Sequence, residues 1–382
     1  MATRKNIGIY IHIPFCVKKC PYCDFYSIKY ENKSNLQKQY VEALEEEIKT
    51  YKAQKNKFVV DTIYFGGGTP SLIAPEYIKK ILRTIKNVFK CKNLEVTLEA
   101  NPNTLDFEYL KKLKKSGINR LSIGLQSAND DELYLLGRLH TPNDVKVAID
   151  LAHKVGFKNI SVDLILGLPN QTIDKIKNSI KFIEQLNINH VSAYMLQIEK
   201  NTIFNNQNII QKLPNEDVMA DMYLFVVDKL REIGFVQYEI SNFAKQGFES
   251  KHNMKYWNRN EYIGFGAAAH SFCDNKRYYL ENNIYKYIGM GKEKNFIYNY
   301  SEDENNIESE FNEYIMLKLR TVLGINIDDM KANFSEDLVN IFLDNVKKYC
   351  NEKYIYYDEK NIRLTKYGFL IYNTIVSNLM IN

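Results

Sequence analysis

Apolar runs of strand length alternate along this chain with longer stretches whose apolar residues recur at helical spacing. The strand-like runs are 6–15 (NIGIYIHIPF), 61–67, 94–102, 120–127, 160–169 and 190–199. Amphipathic stretches at 36–54, 75–90, 106–116, 142–155 and 172–186 lie between them. In 75–90, Pro75 stands at a first-turn position, where a missing backbone N–H costs nothing, and apolar residues follow at helical intervals. Six strands, each followed by a helix, predict the α/β class: a parallel sheet with right-handed crossovers. Six units are too few for a closed eight-unit barrel, so a partial (β/α)6 barrel is expected.

Beyond about residue 200 the regular alternation stops. A helix is expected at 216–233, followed by VQYEISNFA and an aromatic-rich stretch, HNMKYWNRNEYIGFGAAAHSF. From 308, helices near 308–322 and 335–349 precede a ribbon, YIYYDEKNIRL, turning near Glu359, Lys360 and Asn361, and then a last helix. Helices followed by a two-stranded ribbon predict a small, mainly helical, winged-helix-like domain. The expected division is a core partial barrel at 1–200, a barrel extension at 201–300, and the C-terminal domain at 301–382. The polar SEDENNIESE (301–310) is the expected linker. Tyrosine and isoleucine stripes in the last segment read as core packing.

The 382 residues leave room for two domains. Apolar residues make up 45% and charged residues 25%, as in ordinary globular proteins. No run approaches the ~18 apolar residues of a membrane span, and the first residues lack a signal-peptide cleavage pattern. A net charge of +5 is too small to demand a nucleic-acid partner. The expected location is cytoplasmic, where thiols stay reduced.

In that setting Cys16, Cys20 and Cys23, within FCVKKCPYCDF, read as a metal or redox site rather than a disulfide framework. They follow the first strand, at the sheet edge where parallel α/β folds bind ligands. Three thiolates on a short loop can hold three irons of a four-iron cluster and leave the fourth open, and an open position separates reactive from structural metal sites. A closed zinc knuckle is the alternative. It needs a fourth ligand, and His12, Cys91, Cys273 and Cys350 are on offer, none at zinc-finger spacing. YFGGGTPSL (64–72) ends the second strand in three glycines. Such a run lets backbone N–H groups approach a carboxylate or amine, or serves as a plain turn.

CxxxCxxC after a first strand, with Tyr22 before the third cysteine, resembles the radical S-adenosylmethionine (SAM) superfamily. With TLEANP, GINRLSIGLQS, LLGRLH and SVDLILGLPNQT, the chain is similar over nearly its whole length to the coproporphyrinogen III oxidase-like branch. The resemblance implies a [4Fe–4S] cluster on Cys16, Cys20 and Cys23, with SAM chelating the fourth iron and, in active members, cleaved to a 5′-deoxyadenosyl radical. It implies a first SAM held by Tyr10, Gly67 and Glu99. Positions matching a second SAM site are Tyr22, Gly68, Thr69, Gln126, Arg138, Asp163 and Gln197, the last standing where a small residue is expected. Glu99 suits ribose hydroxyls or the methionyl amine, or is a solvated rim carboxylate. Asp163, flanked by an apolar run, must be hydrogen-bonded or paired, and Arg138 is a candidate partner, in a functional or purely structural pair.

The branch divides at Phe25. Its oxygen-independent coproporphyrinogen III dehydrogenases read CxxxCxxCxC, need the extra cysteine for activity and carry a closing N-terminal extension. Here Phe25 fills that position, and with a cysteine already at residue 16 no such extension is expected. Both features, and HNMKYW (252–257), resemble the HemW-type haem chaperones. That resemblance implies a protein that binds haem and passes it to an acceptor protein, a membrane-associated one among the options. It places the haem-binding region in the barrel extension at 201–300, where His252 offers an axial ligand and Tyr256 and Trp257 flat walls. A lone histidine is equally an ordinary hydrogen-bonding residue, and His270 and Cys273 are alternative ligands. The rival expectation is a radical SAM enzyme acting on a porphyrinogen.

Overall fold

The computed structural model describes residues 4–30, 35–301 and 306–381. Its central sheet is built on a two-residue period. In β1 (Lys5–Ile13) the isoleucines at 7, 9, 11 and 13 are fully buried and alternate with Gly8, Tyr10 and His12. The same alternation runs through β2 (Phe58–Gly67), β3 (Lys90–Ala100), β4 (Arg120–Gln126), β5 (Asn159–Leu166) and β6 (His190–Met195). One face joins the apolar core with the helices. The other is polar or small: Tyr10, Tyr64, Thr97 and Arg120 are register neighbours across four strands, as are Glu99, Ser122, Ser161 and His190. Asp163 therefore sits on a polar wall, not in the apolar run expected from its neighbours.

Helices Leu36–Thr50, Pro75–Val88, Phe107–Ser116, Pro142–Val155, Ile173–Glu184 and Glu216–Glu232 follow the six strands in turn. Pro142–Val155 illustrates why such elements have sharp ends. Thr141 and Asp144 cap each other's backbone, Pro142 opens the first turn, and Gly156 stops the helix at φ +96°.

The sheet differs from expectation on the far side of β1. There Tyr262–Phe265 (β7) from the aromatic-rich stretch pairs with β1 as a seventh parallel strand. The twelve-stranded sheet is completed by antiparallel edges: Asn242–Ala244 and Val236–Gln237 beyond β6, and His270–Cys273, Lys276–Tyr279 and Asn299–Tyr300 beyond β7. In the C-terminal part, helices Ile307–Leu319, Ile327–Asn333 and Glu336–Tyr349 accompany the expected ribbon, Ile355–Tyr357 and Asn361–Leu364. A third strand, Ile325–Asn326, joins it, and two residues are too short to show a period. Part of the expected linker, 302–305, lies outside the described residues. Among the described residues no helix is long and apolar enough to cross a membrane.

Candidate functional site

The cysteine loop is tied at both ends. Phe15–Cys16 pairs in parallel with Ile28–Lys29. Ile28 N–H donates to the Pro14 carbonyl at 2.7 Å and Tyr30 N–H to that of Cys16 at 2.8 Å. Inside the loop, Cys23 N–H donates to the Cys20 carbonyl at 3.2 Å. All three thiols are half-buried and free. Their sulfurs are not gathered within 4.8 Å of one another, whereas thiolates sharing one tetrahedral ion sit ~3.8 Å apart. Burial pushes the Cys23 thiol up, the Phe25 backbone N–H pulls it down, and the other two sulfurs push it further up. His12 offers no fourth ligand: its Nδ1 is 3.1 Å from the Tyr10 hydroxyl, and its Nε2 is 2.9 Å from the Tyr26 carbonyl. Burial brings it down to about 4.

The glycine run is more than a plain turn. Gly67 has φ +112°, and a Cβ there would lie 2.6 Å from the His12 ring. Its N–H donates to Glu99 Oε2 at 3.3 Å, while the Tyr64 hydroxyl donates to Oε1 at 2.8 Å. A Cβ on Gly68 would lie 2.8 Å from the Phe15 carbonyl and 3.0 Å from Cys16 Sγ. Thr69 Oγ1 is 3.6 Å from the same sulfur. Cys16, Gly67, Gly68, Thr69, Glu99 and Tyr10 thus form one constellation, and Tyr64 and Phe15 belong to it without having been read from the sequence. A tyrosine two residues before a strand-end glycine, on the same face, was the available signal.

Arg138 reaches the cluster loop and not Asp163. Its Nη2 donates to Asn101 Oδ1 at 2.6 Å and to the Gly124 carbonyl at 3.2 Å, and its Nη1 points at Cys20 Sγ, 3.7 Å away. With its guanidinium spent there, the expected Arg138–Asp163 pair does not form. Asp163 accepts instead from Ser122 at 3.3 Å and from Ser192. Gly124 makes room for this, since a Cβ would meet Gln126 at 2.7 Å and Arg138 at 2.8 Å. Gln126 itself is buried at φ +67°, at a bulge in the β4–β5 pairing. Tyr22 packs with Phe204, ring centroids 6.2 Å apart, and Gln197 is exposed in the loop after β6.

His252 lies on the helix Lys251–Trp257 and is 1% exposed. Its Nδ1 is 2.9 Å from Thr62 Oγ1 and its Nε2 is 2.9 Å from the Tyr256 hydroxyl. Burial pushes it down to about 3. Tyr256 in turn lines a cleft of about 560 Å³ with Tyr10, Phe25, Tyr26, Tyr262, His270 and Tyr279. His270 is exposed, its ring stacked on Tyr279 at 4.9 Å. Trp257 lies instead against Arg320. Another cleft, of about 460 Å³, holds Arg259 and Arg277, whose charges are met by Glu310 and Glu313.

Burial pushes the Glu99 carboxyl up to about 7, against the pull of the Tyr64 hydroxyl and with a further push from Asp163. A carboxyl that protonates more readily folded than unfolded stabilises the fold at low pH. That contribution is complete below its ordinary value and is lost as pH rises through about 7. The expected result is a thermal midpoint that falls less between about pH 5 and about pH 8 in Glu99→Gln than in the parent. Glu47, also pushed up to about 7 by burial, keeps its own share in both proteins. Identical slopes would mean that Glu99 titrates normally.

Residues 10–183 match the model of the radical SAM superfamily, and 308–371 match that of the HemN C-terminal domain. A Bacillus subtilis (strain 168) protein named Heme chaperone HemW is 38% identical, the match covering 96% of this chain and 97% of that one. The protein of that name from Lactococcus lactis subsp. lactis is 34% identical over 99% and 98%. The one from Escherichia coli (strain K12) is 36% identical over 71% of each chain. Among solved structures, coproporphyrinogen III oxidase (HemN) from Escherichia coli superposes with a TM-score of 0.85 at 21% identity, covering 99% of this chain and 90% of that one. This likeness shows the fold: a partial barrel carrying a mainly helical C-terminal domain.

Proposed function

The chain belongs to the heme chaperone HemW family, a branch of the radical SAM superfamily, and from that premise we propose that it binds haem and passes it to an acceptor protein. The observation that carries this reading is the aromatic cleft beside the cysteine loop, whose volume is in the range of ligand pockets. Five tyrosines offer flat walls to a porphyrin. Phe25, 67% exposed, stands among the lining residues on the loop that carries the cysteines. An exposed phenyl ring gains when a ligand covers it.

Cys16, Cys20 and Cys23 would hold the [4Fe–4S] cluster, and Tyr10, Gly67 and Glu99 the SAM. Together the two groups would supply one-electron chemistry. Tyr22, Gly68, Thr69, Gln126, Arg138 and Asp163 would line a second SAM position. Tyr10 belongs both to this constellation and to the cleft, so haem and SAM would share a wall. We assign axial ligation to His270 rather than His252, because both nitrogens of His252 are engaged and Tyr256 stands between it and the cleft. His252 would then position Tyr256. The reading as a porphyrinogen-oxidising enzyme is disfavoured by Phe25, since a phenyl ring cannot replace a thiol in hydrogen or proton transfer.

Anaerobic titration with haemin tests this. A Soret band saturating at one haem per chain is expected, shifted or weakened in His270→Ala and unshifted in His252→Ala. No saturable band would end the haem reading, and the reverse pattern in the two variants would return the ligand to His252. Coproporphyrinogen III, supplied with SAM and a strong reductant, should remain unconverted.

A further inference from the structure

On the polar wall of the sheet, Thr97 (β3), Arg120 (β4) and Asn159 (β5) are register neighbours. Each leaves a buried polar atom without a hydrogen-bond partner among the described residues: Thr97 Oγ1, Arg120 Nε and Asn159 Oδ1. Arg120 is 2% exposed and heads the fully buried side chains by volume. Among the described residues no ion pair reaches its guanidinium. A guanidinium keeps its charge at any working pH, and a buried charge without a partner is costly.

Among the described residues no carboxylate is bonded to Arg120. Its charge is felt at Glu99 and Asp163, yet burial dominates at both and drives them toward the neutral form. Both are also engaged, Glu99 by Tyr64 and Gly67, Asp163 by Ser122 and Ser192. His190 on the same wall and His252, facing the sheet from the helix Lys251–Trp257, are both shifted down by burial, with Arg120 adding to the effect. What Arg120 lacks is an anionic hydrogen-bond partner.

We propose that Arg120 and Thr97 form an anion-binding point inside the barrel, which takes the carboxylate of a ligand entering from the rim that carries the cysteines. The two terminal N–H groups of the arginine fork match a carboxylate in bidentate geometry, and the Thr97 hydroxyl supplies a further donor. Two carboxylates have this chemistry: the methionyl group of a SAM in the second position, which no iron chelates, and a propionate of haem. The second source rests on the haem reading above; the first does not.

The test uses anaerobically reconstituted protein and two ligand pairs, SAM against decarboxylated SAM and haemin against haemin dimethyl ester. In one pair Arg120→Gln should weaken the carboxylate-bearing member on the order of tenfold or more and leave the other member unchanged. Arg120→Lys should lose less. The pair that responds identifies the source. If wild type and both variants show no carboxylate-dependent difference in either pair, the proposal is overturned. If haemin fails to bind the parent, the haem reading falls while the SAM pair still decides on Arg120. Should both arginine variants fail to fold, formate is the probe. It should raise the thermal midpoint of the wild type above that in equal chloride, and less so in Thr97→Val. Absence of a formate-specific rise in the wild type overturns the proposal.

Discussion

Replacing Cys16, Cys20 and Cys23 together with alanine should remove the visible charge-transfer absorbance of the reconstituted protein and nearly all of its bound iron. All three protein ligands of the proposed cluster are lost at once, and thiolate coordination is what such clusters rest on. SAM binding should fall in parallel, because SAM would lose the open iron it chelates. Stability of the apo-protein should change little. The three side chains are half-buried on a loop whose ends are held by backbone pairing at Phe15–Cys16 and Ile28–Lys29. Iron and sulfide analysis with anaerobic spectra gives the answer. A triple variant that holds as much iron as its parent would move the cluster elsewhere.

Gly67→Ala should destabilise the fold by about 2–5 kcal/mol and weaken SAM binding as well. Two costs add. At φ +112° an L-residue is strained, and the new Cβ would sit 2.6 Å from a His12 ring that Tyr10 and the Tyr26 carbonyl hold in place. Gly117→Ala is the control. It has the same φ of +112°, but nothing lies nearer than 3.6 Å to its Cβ, so only the backbone cost applies, about 1–3 kcal/mol. Urea unfolding of both variants separates the terms. Equal losses would show that His12 can yield.

What the sequence disclosed depended on how local the signal was. The cysteine triplet and Pro75 at the first turn of its helix are local signals and were legible at once. Arg120 was not. It reads as an ordinary first residue of a strand, and only sheet register sets it beside Thr97 and Asn159. Asp163 was placed in an apolar run because parallel strands buried on both faces usually read that way. In a partial barrel the inner face stays polar, and the alternation in NISVDLIL carries that information. The strand Tyr262–Phe265 escaped because four residues with a glycine show no period. Gly264 is required there by a neighbour remote from any local signal: a Cβ would come within 2.2 Å of the His270 carbonyl. His252 was legible as an aromatic-flanked histidine, but its burial behind Tyr256 is a tertiary fact.

The pairing of β1 with β7 also bears on how the chain is made. β1 leaves the ribosome ahead of the other described strands of this sheet, and β2 covers one of its edges soon after. Its other edge waits for Tyr262–Phe265, roughly 200 residues later, which at ~5–20 residues per second is about 10–40 s of synthesis. Through that interval the nascent chain carries an isoleucine-rich strand with unpaired N–H and C=O groups, the kind of edge that templates pairing with other chains. Slowed translation downstream of β2 should therefore increase aggregation of this protein, and a substitution that weakens β7 should do the same even where it leaves the cysteine loop untouched.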